Sequence, residues 1–271
     1  MKLLRKILFF GLAAGLLITT LVAGLLWQIE QDAEVISVTS VVLDEVRPVK
    51  VYLPRQYHME PNRRYSVLYT IDGERVRNSS LAVLIARLVT EKDLILVAVD
   101  AIGKRTRDFR LEGATAFGTD TSGKASRFLD FFERELIPNI DATYRTSPER
   151  LLAGHSYGGL FAFHTMSLKP HLFDGYLAFS PALNADDRAL DMLGEYLRSG
   201  HVHGKWLYMN LGWETLHEYD VRFWQAADLL EQEAPKGFRY QLNSYWLIHG
   251  AVPIPGYFEA LGFYSNDRNA D

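Results

Sequence analysis

The chain has 271 residues, of which 48% are hydrophobic and 23% are charged, and it contains no cysteine. This composition excludes a disordered chain and a disulfide-stapled small domain, and the missing cysteine excludes thiolate metal sites and a cysteine nucleophile. The formal net charge of −4 offers no electrostatic case for a nucleic-acid partner.

Residues 1–32 are predicted to form a membrane segment. An uncharged run covers residues 7–27, and as a helix it is about 31 Å long, close to the roughly 30 Å hydrocarbon core of a bilayer. The flanking charges place the N-terminus in the cytoplasm, because basic residues precede the run and acidic residues follow it. We therefore expect an anchor in a bacterial inner membrane, with the remaining domain on the periplasmic face.

A cleaved signal peptide is the alternative interpretation of this segment. Val22-Ala23-Gly24 resembles a cleavage site, although cleavage there would leave three apolar residues on the mature terminus. Both interpretations export residues 33–271. This part has no internal repeat or linker, so we expect a single domain.

The exported domain alternates strand and helix patterns. Two early strands are predicted at Glu34–Leu43 and Val49–Leu53, with a turn at Asp44–Pro48. Later strands are short and almost continuously apolar, which is typical of strands buried on both faces. They are Tyr65–Ile71, Leu94–Val99, Arg150–Gly154, Tyr176–Ser180, Trp206–Leu211 and Tyr240–Leu247. Helical spacing occurs at Ser80–Thr90, Ser126–Ile140, Gly159–Leu168, Asp187–Arg198 and Arg222–Glu233. This order predicts an α/β three-layer sandwich around a mostly parallel sheet.

A nucleophile elbow is predicted at Gly154-His155-Ser156-Tyr157-Gly158. The segment fits G-x-S-x-G, follows an apolar strand and precedes a helix of small and apolar residues. Glycines flank the serine in such elbows because the strained turn leaves no room for a Cβ atom. Ser156 is therefore the candidate nucleophile. The alternative is a glycine-rich turn whose serine only caps the helix.

A serine nucleophile needs a base, and the base needs an orienting acid. In this topology the chain order is serine, acid, histidine. His249 follows the last predicted strand and is assigned as the general base. Glu214 is the first carboxylate after the strand Trp206–Leu211 and is the candidate acid. Asp220 and a dyad without a decisive acid remain open.

The oxyanion of the tetrahedral intermediate needs backbone donors. One is the N–H of Tyr157, the residue after the nucleophile. The other is expected in the loop after the third strand, at Gly73 or Glu74.

Six segments occur in an order that resembles the putative-esterase family of α/β-hydrolases. They are YSVLYTIDG, RTRDF at Arg105–Phe109, FLDFFERELIPNIDATYRT at Phe128–Thr146, RLLAGHSYGGLFAF at Arg150–Phe163, HLFDGYLAFSP at His171–Pro181 and HGAVPIPGYFEAL at His249–Leu261. This family includes esterase D-type enzymes and the ferric-enterobactin and salmochelin esterases, and the sequence looks most like the siderophore-esterase branch.

The resemblance implies that Ser156 is the nucleophile and His249 the base, and it favours Glu214 as the acid. It also implies that Arg105 and Arg107 stand near the pocket mouth and bind substrate, with a structural ion pair as the alternative. The sequence departs from the family after Ser180-Pro181, where a common tryptophan pair is absent. This departure weakens the case for a catecholate siderophore as the substrate.

We therefore expect an exported serine hydrolase that cleaves a small carboxylic ester and uses no cofactor or metal. An acyltransferase with the same triad is an alternative, as is an inactive binding module tethered to the membrane. A metal site built from His201, His203 and His217 has little support, because this spacing is common in polar loops. The expected partners are the ester and a membrane, and the sequence leaves the oligomeric state open.

Overall fold

A computed structural model of the chain describes residues 2–72, 76–90, 93–114, 123–213 and 217–266. The strands are β1 (Glu34–Ser40), β2 (Glu45–Tyr52), β3 (Tyr65–Ile71), β4 (Leu94–Val99), β5 (Thr146–His155), β6 (Gly175–Phe179), β7 (Trp206–Trp213) and β8 (Arg239–Ile248). The helices are α1 (Lys2–Gln31), α2 (Val76–Val89), α3 (Arg105–Phe109), α4 (Ala125–Phe131), α5 (Ile137–Thr143), α6 (Tyr157–Leu168), α7 (Ala189–Arg198), α8 (His217–Glu233) and α9 (Pro253–Asn266).

The strands form one eight-stranded sheet in the order β1-β2-β4-β3-β5-β6-β7-β8. Strands β3 to β8 pair in parallel, while β2 runs antiparallel to both β1 and β4. The central strands are buried along their whole length, as their continuous apolar runs require. The prediction of an α/β fold with a mostly parallel sheet is confirmed.

Helices cover both faces of this sheet. The end of α1 packs with α2 and α9 against one face, where Leu68, Leu96 and Tyr257 are buried. The other face carries α3 to α8 over a core rich in phenylalanine. A π-helical turn at Phe132–Leu136 joins α4 to α5, so the helix predicted at Ser126–Ile140 is present without a break.

The sequence prediction for the start of β2 is wrong. The turn expected at Asp44–Pro48 ends at Asp44, which has φ +57°, and β2 already begins at Glu45. Pro48 fits this strand because β2 pairs with β4 only from Val49 onward, so that proline stands at a local edge. After β8 the chain forms a short 3₁₀ turn and then enters α9, which the sequence patterns do not predict.

Helix α9 was not predicted because Pro253, Pro255 and Gly256 resemble loop punctuation. Proline is tolerated in the first turn of a helix, where its missing N–H has no intrahelical acceptor. Gly256 allows close packing, since a Cβ atom there would lie 2.5 Å from Nδ2 of Asn210. Helix α8 also begins earlier than the predicted Arg222.

Helix α1 contains a segment, Ala13–Gln31, that is long and apolar enough to cross a membrane. Most of its large apolar side chains from Leu16 to Trp27 are exposed. The helix end contacts the domain, because Ile29 is buried and Glu30 pairs with Lys50. Glu30 also accepts hydrogen bonds from the hydroxyls of Tyr52 and Ser80, each at 2.8 Å. The end of the predicted membrane segment is therefore packed onto the domain.

Candidate active site

Ser156 stands alone between β5 and α6 with φ +60° and ψ −118°. Such a conformation costs a non-glycine residue about 1–3 kcal/mol and is found mainly at functional sites. The tightness of the turn is visible at Gly154, where a Cβ atom would lie 2.2 Å from the carbonyl oxygen of Gly158. The strand–turn–helix geometry expected for the elbow is present.

Backbone hydrogen bonds hold the strained serine in place. Its N–H donates to the carbonyl of Phe179 at 2.9 Å, and its own carbonyl accepts from Leu160 at 2.9 Å and from Ala182 at 3.1 Å. The side chain of Ser156 is only partly buried. Its hydroxyl is thus held on a fixed backbone at a position that a substrate can reach.

Tyr157 is the first residue of α6, so its N–H has no intrahelical acceptor and points out of the helix N-terminus. That end of the helix also carries the positive pole of the helix dipole, which favours a developing oxyanion. The second predicted donors, Gly73 and Glu74, lie outside the described residues. Asp72, which precedes them, lies beside the first turn of α6: a Cβ atom on Gly158 would be 3.5 Å from its Oδ2 atom.

His249 is the first residue of a 3₁₀ turn, His249–Ala251, that links β8 to α9. Its imidazole ring lies 4.4 Å from the ring of His155, measured between centroids, at an interplanar angle of 44°. Nε2 of His155 is 2.9 Å from the carbonyl oxygen of His249. The structure therefore places the predicted base against the residue that immediately precedes Ser156.

The predicted acid Glu214 lies outside the described residues. Strand β7 ends at Trp213, directly before it. The alternative acid Asp220 lies in the first turns of α8 and is partly buried. The choice between these two carboxylates stays a prediction.

The two arginines assigned to substrate binding have different surroundings. Arg105 forms a two-point ion pair with the buried Asp72 and also donates from Nη2 to the carbonyl of His155 at 3.3 Å. Arg107 instead pairs with Glu45 and Asp108, at 3.0 and 2.7 Å. The contacts of Arg105 connect Asp72 to the end of β5, and those of Arg107 are the structural ion pairs given above as the alternative to substrate binding.

The ion pairs of Arg107 belong to a larger charged cluster. Arg47 is 1% exposed and donates to Asp108 at 2.8 Å and to the carbonyl of Asp100 at 2.6 Å. Burial alone would raise the pKa of Glu45, but hydrogen bonds from Arg107 and Lys104 lower this pKa to about 2. Glu45 is therefore charged at neutral pH, and the cluster fastens α3 to β2.

A buried polar pair lies behind the elbow, with His164 on α6 and Asp186 in the segment before α7. His164 and Asp186 are each 1% exposed, with 3.4 Å between Nε2 and Oδ2. Asp186 also pairs with Arg188 at 2.8 Å. Burial lowers the pKa of His164 to about 4, against the opposing effect of Asp186, so this histidine is neutral in the folded protein at pH 7.

An exposed aromatic surface adjoins His249 at the sheet edge. Trp213 and Trp246 are 67% and 91% exposed, and their rings meet edge to face with 6.3 Å between centroids. Ile248, the register partner of Trp213, is 72% exposed and directly precedes His249. The sequence does not single out these residues, because strand periodicity does not show which residues at a sheet edge remain exposed.

The chain matches a family model and is similar to several known proteins. Residues 40–242 match the family model described as "Putative esterase". The siderophore triacetylfusarinine C esterase of Aspergillus fumigatus is 40% identical over 29% of this chain and 28% of its own length. The ferri-bacillibactin esterase BesA of Bacillus subtilis is 29% identical over 52% of this chain and 56% of its own. These matches thus span roughly a quarter and a half of the two curated relatives.

Among solved structures, an IroE-like serine hydrolase from Shewanella oneidensis superposes with a TM-score of 0.78. The match is 26% identical in sequence and covers 88% of this chain and 82% of the other.

Proposed function

Because the chain belongs to the Putative esterase family, we propose that it is an exported serine hydrolase that cleaves carboxylic esters through an acyl-enzyme. The observation that carries this proposal is the strained conformation of Ser156 between a parallel strand and a helix N-terminus. This geometry presents a hydroxyl and a helix N-terminus to the same reacting carbonyl.

In the first half of the reaction, His249 takes the proton of the Ser156 hydroxyl as Oγ attacks the ester carbonyl carbon. The negative charge that develops on the carbonyl oxygen is stabilised by the N–H of Tyr157 and by a donor at Gly73 or Glu74. The carbon–oxygen bond to the alcohol then breaks, and the alcohol leaves with the proton from His249.

In the second half, water attacks the acyl group on Ser156. His249 accepts a proton from this water and returns it to Oγ of the serine as the acid product leaves. Glu214 orients the imidazole and stabilises its charged form during both halves.

We propose that the substrate is a siderophore-type ester with aromatic or apolar arms, which is larger than the small ester expected from the sequence. One similar protein is named as a siderophore esterase and another as a ferri-bacillibactin esterase, and the exposed Trp213–Trp246 pair adds an aromatic surface next to His249. Ser156 follows β5 and Trp213 ends β7, which is two strand positions away, or about 10 Å at the usual spacing. A small ester bound at Ser156 would not span this distance, whereas the arm of a large ester would.

The test of the chemistry is covalent labelling with a fluorophosphonate, which phosphonylates activated serines. The purified full-length chain should be labelled with one equivalent, and Ser156→Ala should remove both the labelling and the hydrolysis of p-nitrophenyl esters. Folded wild-type protein that takes no label would refute the proposed mechanism.

The export part of the proposal is supported by the apolar segment Ala13–Gln31 and its exposed side chains. Because the chain has no cysteine, a single introduced cysteine reports its location without background. Met59→Cys is suitable, since this residue is 71% exposed. A membrane-impermeant maleimide should label it in intact spheroplasts, and labelling only after lysis would place the domain in the cytoplasm.

A further inference from the structure

His155 is a polar residue that the hydrolytic reaction itself does not require. It is the last residue of β5, it is 7% exposed, and it pairs in register with Phe179 of β6. Its backbone is thus fixed by the sheet. Its carbonyl oxygen accepts a hydrogen bond from Arg105, so both the main chain and the side chain of His155 form hydrogen bonds.

The ring of His155 reaches across the site to the segment that carries the base. Its Nε2 atom is 2.9 Å from the carbonyl oxygen of His249. A carbonyl oxygen only accepts hydrogen bonds, so Nε2 of His155 carries the proton that makes this bond. The ring also packs against the His249 ring, with 4.4 Å between centroids.

The strand residues directly before His249 are exposed. The strand before it is the edge strand β8, where Trp246, Leu247 and Ile248 are exposed. Buried packing resumes only at Val252, three residues further on. The contact from His155 therefore ties the segment of the base to the strand that ends at the nucleophile.

We propose that His155 is a positioning residue for His249: it holds the backbone and the ring of the base at the distance from Ser156 that proton transfer needs. This proposal rests on the assignment of His249 as the base in the proposed function. It assigns a role to the second position of G-x-S-x-G, which motif logic treats as variable.

The first test compares His155→Leu with His155→Gln. Leucine has a side chain of similar size but no donor, whereas the Nε2 amide of glutamine can still donate from about the same distance. We expect His155→Leu to lower kcat by about 100-fold with KM nearly unchanged, because a misplacement of about 1 Å has an effect of this size. His155→Gln should stay within about fivefold of wild type, because it keeps the hydrogen bond. Equal losses in both variants would overturn the proposal.

The second test is a double-mutant cycle with His249→Ala, using the rate of fluorophosphonate labelling. If His155 acts through His249, then His155→Leu should have no further effect once the base is removed. Additive losses would show that His155 acts on its own or through the general fold, and would also overturn the proposal. Circular dichroism and melting temperature should show that each variant is folded.

A third measurement does not depend on hydrolysis. In the full-length chain with ¹⁵N-labelled histidine, the imidazole nitrogen shifts should identify His155 as the Nε2–H form, and His249→Ala should leave that tautomer unchanged because its backbone carbonyl remains. A proton on Nδ1 of His155 instead would contradict the proposal. If His155 shows the expected tautomer but the wild-type protein does not react with the fluorophosphonate, the esterase mechanism is refuted and the contact between His155 and His249 still stands.

Discussion

Arg105 and Asp72 form a two-point ion pair at the edge of the candidate site, with 2.9 Å between Nη2 and Oδ2. Asp72 is 2% exposed, has φ +67° and is the residue directly before Gly73. The same Nη2 atom reaches the carbonyl of His155. One guanidinium thus connects Asp72, the residue before the predicted oxyanion donors, to the strand that ends beside the candidate nucleophile Ser156.

We predict that Arg105→Ala lowers kcat for an uncharged ester by about 10- to 100-fold, because the loop after β3 loses its attachment. Arg105→Lys should be nearly as impaired, since an ammonium group cannot form the two-point pair. The measurement is steady-state kinetics on neutral and anionic esters. A rise in KM confined to anionic esters would instead assign Arg105 to substrate binding.

Arg107→Ala is the matched control for that experiment. Its guanidinium pairs with Glu45 and Asp108 in the charged cluster. It should reduce the free energy of unfolding by on the order of 1 kcal/mol, which for a chain of this size lowers the melting temperature by about 2–4 °C. A strong loss of kcat in this variant would show that the cluster contributes to the site.

We predict that Gly154→Ala abolishes activity and fluorophosphonate labelling. The added methyl group would lie 2.2 Å from the carbonyl oxygen of Gly158, so the elbow cannot keep its present geometry. Gly262→Ala in α9 is the control, because nothing lies within 4 Å of a Cβ atom there. This control should be slightly stabilising, since alanine is favoured over glycine in helices by about 1 kcal/mol. An active Gly154→Ala enzyme would contradict the geometry of the elbow.

The predicted triad acid is tested with the variants Glu214→Gln and Asp220→Asn. We predict that Glu214→Gln lowers kcat by at least 100-fold, because the amide can no longer stabilise the charged imidazole. Asp220→Asn should remain within a few-fold of wild type. The reverse order of effects would assign Asp220 as the acid, and two small effects would indicate a working dyad.

The stability of the protein should decrease on acidification because of His164. Its pKa is about 4 in the folded state and about 6.5 in the unfolded chain, so between these values the unfolded state binds more protons. The stabilisation of the folded state by neutral His164 is complete above pH 6.5. It decreases by about 3 kcal/mol in total as the pH falls toward 4. Urea unfolding between pH 7 and 4.5 measures it, with His164→Leu as the comparison. Parallel curves for the two proteins would show that His164 does not contribute.

The aromatic edge is tested with Trp246→Ala and Trp213→Ala. We predict that each raises KM by up to about tenfold for esters with aromatic arms, since an aromatic contact contributes about 0.5–1.5 kcal/mol. Short aliphatic esters should be unaffected. Trp224→Ala, at another exposed tryptophan on α8, is the control. Unchanged KM values together with a changed oligomeric state would identify this edge as an interface between copies of the chain.

Much of the fold could be predicted because local patterns reflect burial. The strands β3 and β4 were predicted with correct ends, since an apolar run bounded by polar residues has the length of one buried strand. The elbow could also be predicted from the sequence, because the strained turn within these five residues leaves no room for Cβ atoms beside Ser156, and glycines are therefore required there. Helix α9 was missed because its first turn tolerates residues that normally end a helix.

The sequence alone thus determined the elbow around the candidate nucleophile Ser156, the parallel sheet and the apolar N-terminal segment, each of which depends on residues close together in the chain. Only the tertiary structure decided which charges pair and which rings meet. Arg105 lies 33 residues from Asp72, and His155 lies 94 residues from His249. Such contacts depend on how the strands are ordered in the sheet, and no local pattern carries that information.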